Sequence, residues 1–192
     1  EEILYLLGIL LHPDNAAQPF PLILTGPRQS AEYFERIDAF LRLALGDAVA
    51  SRYQILVDSP QQVARAVRKG IEQVREYRVA SQDAFFFNWG LTIDHALQQP
   101  FAPTHENMAA LDLRLGQPPH QLAAHLRRAF SGIVAGNVKE EGLRAIEQRG
   151  PFEIRGEPSI MRALDELLAS FVAQQRMKLP GSEYRPCYRL IS

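Results

Sequence analysis

The apolar positions in the first third of the chain form short continuous runs separated by longer stretches with helical spacing. The short runs are PLILTGP at 21–27 and YQILVDSP at 53–60, and both are bounded by turn-forming residues. Such runs are typical of strands buried on both faces of a parallel sheet. Residues 1–11 are almost uninterruptedly apolar and predict a buried helix. The predicted order is therefore α-β-α-β-α.

Turn and cap residues place the ends of these helices. The helix after the first strand is predicted to be capped by Ser30 and to end at Gly46. Ser59 and Pro60 are predicted to open the following helix. Its packed stripe is predicted to comprise Val63, Val67, Ile71 and Val74.

The regular alternation ends near residue 78, and two domains are predicted. Strands alternating with helices imply right-handed βαβ units, so we interpret 1–78 as the second half of a doubly wound, Rossmann-like parallel sheet. We interpret 79–192 as an α-rich α+β domain, in which FFFNW at 85–89 belongs to the core. Its further predicted elements are a helix near 120–134 that breaks at Gly136, a helix in 138–148, a strand at FEIRG, a helix over 158–177 and an extended tail.

Composition excludes several classes of protein. The 192 residues are 46% hydrophobic and 22% charged, and 21 basic against 22 acidic side chains give a net charge of -1. This balance does not favour a general nucleic-acid or membrane surface. The single cysteine, Cys187, excludes an intrachain disulfide framework and a cysteine-rich zinc site, and it favours the cytoplasm. No apolar run approaches the roughly 20 residues needed to cross a bilayer.

Candidate binding residues follow the first predicted strand. Ligands of open α/β sheets bind at the carboxyl ends of the strands, where Thr25, Gly26 and Arg28 lie in LTGPRQS. Glycine there permits close approach of a ligand, and arginine offers a charged fork. The alternative is a plain turn with a surface arginine. Asp58 and Ser59, after the second strand, are most simply turn and cap residues.

Other polar residues have two interpretations as well. Glu1 and Glu2 complement the positive end of a helix, and a catalytic role would require a phosphate-binding loop before them. His105, His120 and His125 lack metal-ligand spacing and are interpreted, with the neighbouring arginines at 127 and 128, as structural or surface groups. No metal site is predicted.

Long phrases distributed over the whole chain resemble one enzyme family. Two of them, EEILYLLGILLHP and FPLILTGPRQSAEYF, resemble the region after the PGG-x-GT-x-x-E motif of the Lonely-guy, or "lysine decarboxylase-like", phosphoribohydrolases. The other three are NWGLTIDHALQQPFAPTHENMAALDL, LRRAFSGIVAGNVKEEGLRAIEQRGPFEI and FVAQQRMKLPGSEYRPCY. These three resemble the C-terminal domain of bacterial purine/pyrimidine nucleotide 5′-monophosphate nucleosidases.

The resemblance implies an N-glycosyl hydrolase that releases free base and ribose 5-phosphate from nucleoside monophosphates without a cofactor. Glu2 would be the last glutamate of the motif and the catalytic carboxylate. Glu1, Thr25, Gly26 and Arg28 are candidate substrate or effector contacts, since the family is linked to control by the alarmones ppGpp and pppGpp. A homo-oligomer, either a dimer or a tetramer, is also implied.

The chain begins without methionine or a cap, which we interpret as a cut start. The resemblance implies that the missing part contains an amino-terminal domain and the first half of the sheet. The segment alone is therefore expected to lack a complete active site. Two alternatives remain open: a non-catalytic nucleotide-binding regulatory module, and a cytokinin-type phosphoribohydrolase, against which the long C-terminal domain counts.

Overall fold

Parallel strands and helices make up both compact units of the chain. The computed structural model describes residues 1–83, 90–177, 179 and 183–191, so the FFFNW segment lies outside the described residues. One unit comprises Glu1–Gly8 with His95–Ser192, and the other comprises Ile9–Asp94. The predicted α/β class is confirmed. Among the described residues, no helix combines the length and the apolar character needed to cross a bilayer.

The unit Ile9–Asp94 contains a parallel pair of strands with helices after each. Strand β1 (Ile23–Gly26) pairs with β2 (Gln54–Val57) in parallel, from Ile23 opposite Gln54 to Gly26 opposite Val57. Helix α1 (Glu2–Leu10) precedes them, beginning in the other unit and ending in this one. Helices α2 (Ala31–Leu45) and α3 (Pro60–Ala80) follow the two strands. The predicted order α-β-α-β-α is confirmed.

The structure corrects two details at the first strand. β1 is not buried on both faces, because Leu24 is buried and Thr25 is exposed. Ser30 lies at the N-cap position of α2, but its side chain makes no cap hydrogen bond, since a 3-10 turn (Arg28–Ser30) precedes the helix. Gly46 ends α2 as predicted, with a φ of 84°.

The predicted packed stripe of α3 is wrong at its centre. Val67 and Ile71 are 39% and 45% exposed, whereas Gly70 and Val74 are buried. Gly70 decides the orientation, because a Cβ there would lie 2.4 Å from Cβ of Pro21. The face of α3 that contains Gly70 therefore packs against Pro21.

The larger unit contains a second parallel sheet, ordered β3-β4-β5. The structure contains the predicted helix in 138–148, the FEIRG strand, the helix after 158 and the extended tail. Three further elements, over residues 95–98, 105–109 and 112–113, were not predicted. The α+β interpretation missed the parallel pairing, because β3 has only two residues and gives no periodic signal. The elements are α4 (His95–Gln98), α5 (His105–Ala109), β3 (Asp112–Leu113), α6 (Pro119–Val138), α7 (Glu140–Arg149), β4 (Phe152–Gly156), α8 (Pro158–Ala173) and β5 (Tyr188–Ile191).

Helix α6 does not break at Gly136 but continues to Val138. A Cβ at Gly136 would lie 2.7 Å from Sγ of Cys187 and 3.1 Å from the Phe152 ring. The glycine therefore serves close packing against β4 and the segment before β5. Close packing was one of the two interpretations that the sequence allowed.

Two tyrosines fix the last segment to α8. The hydroxyls of Tyr184 and Tyr188 donate to Oδ1 and Oδ2 of Asp165, each at 2.8 Å. The N–H of Phe152 donates to the carbonyl of Cys187 at 2.9 Å. The Cys187 thiol is buried, donates to the Ile133 carbonyl at 3.5 Å and accepts from Nδ2 of Asn137 at 3.3 Å. It is a packed structural thiol.

Gly142 generates a first prediction, since a Cβ there would lie 2.2 Å from the carbonyl oxygen of Ala135 in α6. Replacing glycine by alanine inside a helix ordinarily stabilises by about 0.5–1 kcal/mol. Here the clash is with backbone, so we expect Gly142→Ala to lower the free energy of unfolding by about 1–3 kcal/mol in urea titrations. Gln148→Ala, on the exposed side of α7, is the control and should change it by less than about 0.5 kcal/mol. A more stable Gly142→Ala protein would contradict the packing.

A second prediction concerns the thiol, because burial raises the pKa of Cys187 to about 12. Its contribution to stability is complete below the ordinary thiol pKa of about 8.5 and is lost as pH rises from there. We expect urea unfolding to show wild type losing stability relative to Cys187→Ala between about pH 8 and about pH 10. Native protein should also react slowly with a disulfide reagent and rapidly after unfolding. Parallel pH profiles for the two proteins would exclude the thiol as the cause.

Candidate functional site

Glu1 and Glu2 lie side by side at the amino end of α1 and have different surroundings. Glu1 supplies the first helical acceptor, because its carbonyl accepts from the N–H of Tyr5 at 3.1 Å. Its side chain is 36% exposed, and its Oε1 lies 3.8 Å from Nη2 of Arg127. The Glu2 side chain is 93% exposed. Of the two carboxylates, Glu2 is the accessible one.

Arg127 of α6 lies beside the amino end of α1. Its guanidinium carbon lies 5.1 Å from the centre of the Tyr5 ring, a cation–π contact worth about 0.5–2 kcal/mol. Its Nη1 is buried and has no hydrogen-bond partner among the described residues, which costs about 1–3 kcal/mol. A half-buried guanidinium with one unused, buried donor therefore lies beside Glu1. Sequence reasoning grouped Arg127 with structural or surface residues and missed this contact.

The carboxyl ends of β1 and β2 border a cavity of about 520 Å³ in the other unit. Thr25 and Gly26 line it, as do Asp58 and Ser59 from the loop after β2. The N–H of Asp58 donates to the Gly26 carbonyl at 3.0 Å, and Asp58 has a φ of 55°. Aspartate is among the few residues that tolerate this left-handed conformation. The turn places its backbone at the edge where ligands of parallel sheets bind.

The three residues predicted in LTGPRQS have different settings. The hydroxyl of Thr25 donates to the Leu56 carbonyl at 2.7 Å, so it joins the two strands. A Cβ at Gly26 would lie 3.0 Å from Oγ of Ser30, so glycine permits the close approach of the α2 segment. Arg28 is exposed in the 3-10 turn and is not among the residues that line the cavity.

A second cavity, of about 360 Å³, lies at the amino ends of β1 and β2. Arg52 and Lys69 line it, and its described lining includes no carboxylate. Arg52 donates to the Ala16 carbonyl at 2.6 Å, which fixes its position. The electrostatics of this cavity favour anions.

The histidines of the larger unit have structural contacts. Nε2 of His105 lies 2.8 Å from the Gly150 carbonyl, and its ring packs on Phe152 at 4.8 Å between centres. Burial and the charge of Arg128 lower the pKa of His125, which favours its neutral form. Within the described part of the chain, no group of three or more His, Cys, Asp or Glu side chains is placed to hold a metal ion.

The structure thus groups the predicted residues in two sets. Glu1 and Glu2 lie in the unit that contains α6, and Thr25, Gly26 and Arg28 lie in the unit Ile9–Asp94. Asp58 was interpreted from the sequence as a turn residue only, and it proves to line the same cavity as Thr25 and Gly26. Its position at the end of an apolar run was the available signal.

Comparisons with known proteins identify the family of the chain. A family model described as "Pyrimidine/purine nucleotide monophosphate nucleosidase, C-terminal" matches residues 71–191. Curated relatives named "Pyrimidine/purine nucleotide 5'-monophosphate nucleosidase" from Escherichia coli strains K12, O6:H1 and O157:H7 are each 55% identical over 190 residues. These matches cover 99% of this chain and 42% of each relative. The chain belongs to the pyrimidine/purine nucleotide 5′-monophosphate nucleosidase family.

Proposed function

We propose that this chain is the C-terminal part of an enzyme that hydrolyses the N-glycosidic bond of purine and pyrimidine nucleoside 5′-monophosphates. The products are the free base and ribose 5-phosphate. The observation that carries the proposal is the 55% identity, over 99% of the chain, to relatives named for this activity. Because the chain spans 42% of their length, the active site is proposed to include residues outside this segment.

The finer fold proposed is the second half of a doubly wound, Rossmann-like sheet. In its support, β1 and β2 are parallel and α2 lies between them in the chain, as in a βαβ unit. The proposed domains are 1–78, the C-terminal half of the nucleotide-binding domain, and 79–192, the family-specific domain. Two strands alone rarely form a stable sheet, so further strands beside this pair would complete it.

Hydrolysis of the N-glycosidic bond requires stabilisation of positive charge on the ribose, and we assign this role to Glu2. As the bond between C1′ and the base nitrogen breaks, positive charge develops on the ribose, and water supplies the oxygen that bonds to C1′. One proton of the water stays on the new C1′ hydroxyl, and the other is released as the leaving base nitrogen takes up a proton. A carboxylate beside C1′ stabilises the positive charge and orients the water. Glu2 suits this task because its side chain is accessible.

The other candidates are proposed to bind the nucleotide or an effector. Thr25 and Gly26 line the cavity at the carboxyl ends of the strands, and Glu1 lies beside Glu2. The exposed Arg28 is the proposed contact for the phosphates of an alarmone such as ppGpp or pppGpp. Hydrolysis of this kind needs water and no organic cofactor or metal. A cytoplasmic homo-oligomer is proposed as the working form.

The proposal predicts that Glu2→Gln in the full-length protein lowers kcat by about 10²-fold or more, because the charge opposite the ribose is lost. Binding of nucleoside monophosphates should survive, since glutamine keeps the size and the hydrogen-bonding capacity. Free base released from a panel of nucleotides is measured by chromatography, and binding by calorimetry. Glu147→Gln, an exposed glutamate of α7, is the matched control.

Three outcomes of that experiment are informative. An unchanged rate in Glu2→Gln would remove Glu2 from the mechanism. Nucleotide binding without any hydrolysis in the wild-type protein would support a regulatory module instead. Hydrolysis restricted to N6-modified AMP would support the cytokinin-type activity.

A further prediction tests the effector contact. Arg28→Ala should weaken alarmone binding by the full-length protein about tenfold in calorimetry, as expected for one charge-assisted hydrogen bond. The control is Arg36→Ala, whose guanidinium donates to Glu32 on the same helix at 2.8 Å. Equal affinities for wild type and Arg28→Ala would assign the effector to another site.

A further inference from the structure

Helices α1 and α6 pack closely where both have small residues. A Cβ at Gly8 would lie 3.3 Å from Cδ1 of Leu97, 3.6 Å from the carbonyl oxygen of His120 and 3.8 Å from the backbone N of Ala124. The backbone of α1 therefore approaches that of α6 at this point. One helical turn further along α6, Arg127 contacts Tyr5 and Glu1, which precede Gly8 in the chain. The two helices thus run in opposite directions, and Arg127 reaches the amino end of α1.

A cation at this place needs a compensating anion. The amino end of a helix carries a partial positive charge, so an arginine beside it is repelled unless a carboxylate intervenes. Glu1 supplies that carboxylate at 3.8 Å from Nη2, and the Tyr5 ring faces the guanidinium carbon at 5.1 Å. The planar guanidinium is therefore held by Tyr5 of α1 and by Glu1, the residue that precedes the helix. Such a two-point contact fixes the rotation of the helix about its axis.

The orientation of α1 determines where Glu2 points. Consecutive side chains of a helix diverge by about 100°, so the carboxylate of Glu2 is directed away from the side on which Glu1 is held. The exposures agree, at 36% for Glu1 and 93% for Glu2. Pairing Glu1 with Arg127 also keeps the first carboxylate from competing with the second. The neighbouring glutamates thus have separate tasks.

We propose that Arg127 is a positioning residue, which holds Glu1 and Tyr5 so that Glu2 faces the substrate. The proposal rests on the proposed function and deepens it. It gives the family-specific segment a part in catalysis, because Arg127 lies within the matched residues 71–191. Arg127 lies beside the first turn of α1, against Tyr5, so we assign it to the helix and not to the substrate phosphate.

Arg128 is a natural matched control. It is the next residue of α6, its Nε is also buried without a hydrogen-bond partner among the described residues, and it also faces an aromatic ring. Its contacts, however, are the Ala96 carbonyl at 2.6 Å and the Phe101 ring at 5.8 Å. Loss of Arg128 therefore reports the cost of removing a half-buried arginine of α6 that has no contact to α1.

The kinetic experiment compares Arg127→Ala, Arg127→Lys and Arg128→Ala in the full-length protein. We expect Arg127→Ala to lower kcat by about 10²-fold, because small displacements of a catalytic group have effects of this size. KM should change by less than about threefold, since the substrate contacts remain. Arg127→Lys should retain part of kcat, because lysine keeps the positive charge beside Glu1. The recovery should be incomplete, because lysine cannot stack on the Tyr5 ring as the planar guanidinium does. Arg128→Ala should retain kcat.

A measurement without catalysis tests the same contact. Amide hydrogen exchange of the peptide spanning residues 1–10 should be faster in Arg127→Ala than in wild type and unchanged in Arg128→Ala. Urea titrations of both variants correct for any general loss of stability.

Several outcomes would overturn the proposal. A raised KM with unchanged kcat would make Arg127 a substrate contact. Equal losses in both arginine variants would indicate a general effect of destabilisation, and unchanged kinetics and exchange would exclude any role. Failure of the proposed function is distinguishable, because wild type would then release no base from any nucleotide, while the exchange result would still report on the contact.

Discussion

The larger unit depends on the small residues of helix α6, which allow neighbouring elements to approach its backbone. Met108 of α5 fills the space at Gly132, where a Cβ would lie 2.2 Å from its sulfur. The Cys187 side chain and the Phe152 ring fill the space at Gly136, and Gly142 of α7 lies against the Ala135 carbonyl. Larger side chains at these positions would force the helices apart, since interiors are packed without spare volume. The elements around α6, including β4 and the segment before β5, consequently pack closely against its backbone.

This close packing limits which residues of α6 can contact other elements with long side chains. Residues on its buried faces serve packing, and its long cations occupy the two positions Arg127 and Arg128, which extend to elements beside the helix. One reaches the start of α1, and the other reaches the segment 96–101. Both guanidinium groups project from this closely packed helix, so its packing defines where each of them lies. This is the property required of a group that positions a catalytic residue.

Much of the fold could be predicted from the sequence because the strong signals were local. The apolar runs at 21–27 and 53–60 and the glycine at 46 identified β1, β2 and the end of α2 correctly. The errors arose where tertiary packing overrides a local preference. Gly136 looks like a helix break, yet it lies in the last turn of α6, where it permits contact with Cys187, and Gly70 turns α3 so that Val67 faces solvent. Neither contact has a periodic signature.

The residues of the candidate site also divide into those that local sequence signals identify and those that only tertiary packing brings together. Glu2, Thr25 and Gly26 could be proposed because motif resemblance and the ends of strands point to them. Arg127 could not, since its contact depends on the approach of two helices distant in sequence. Asp58 was interpreted as a turn residue only, although its position after an apolar run was an available signal. In the structure, the two neighbouring glutamates also have different surroundings, which their adjacency in the sequence does not indicate. Because the first eight residues belong to the same compact unit as His95–Ser192, the helix end with the proposed catalytic carboxylate is held by the family-specific segment. Under the proposed role of Arg127, a change in the packing of that segment would reach Glu2 through Arg127 and Glu1, which would link the C-terminal fold to the proposed chemistry.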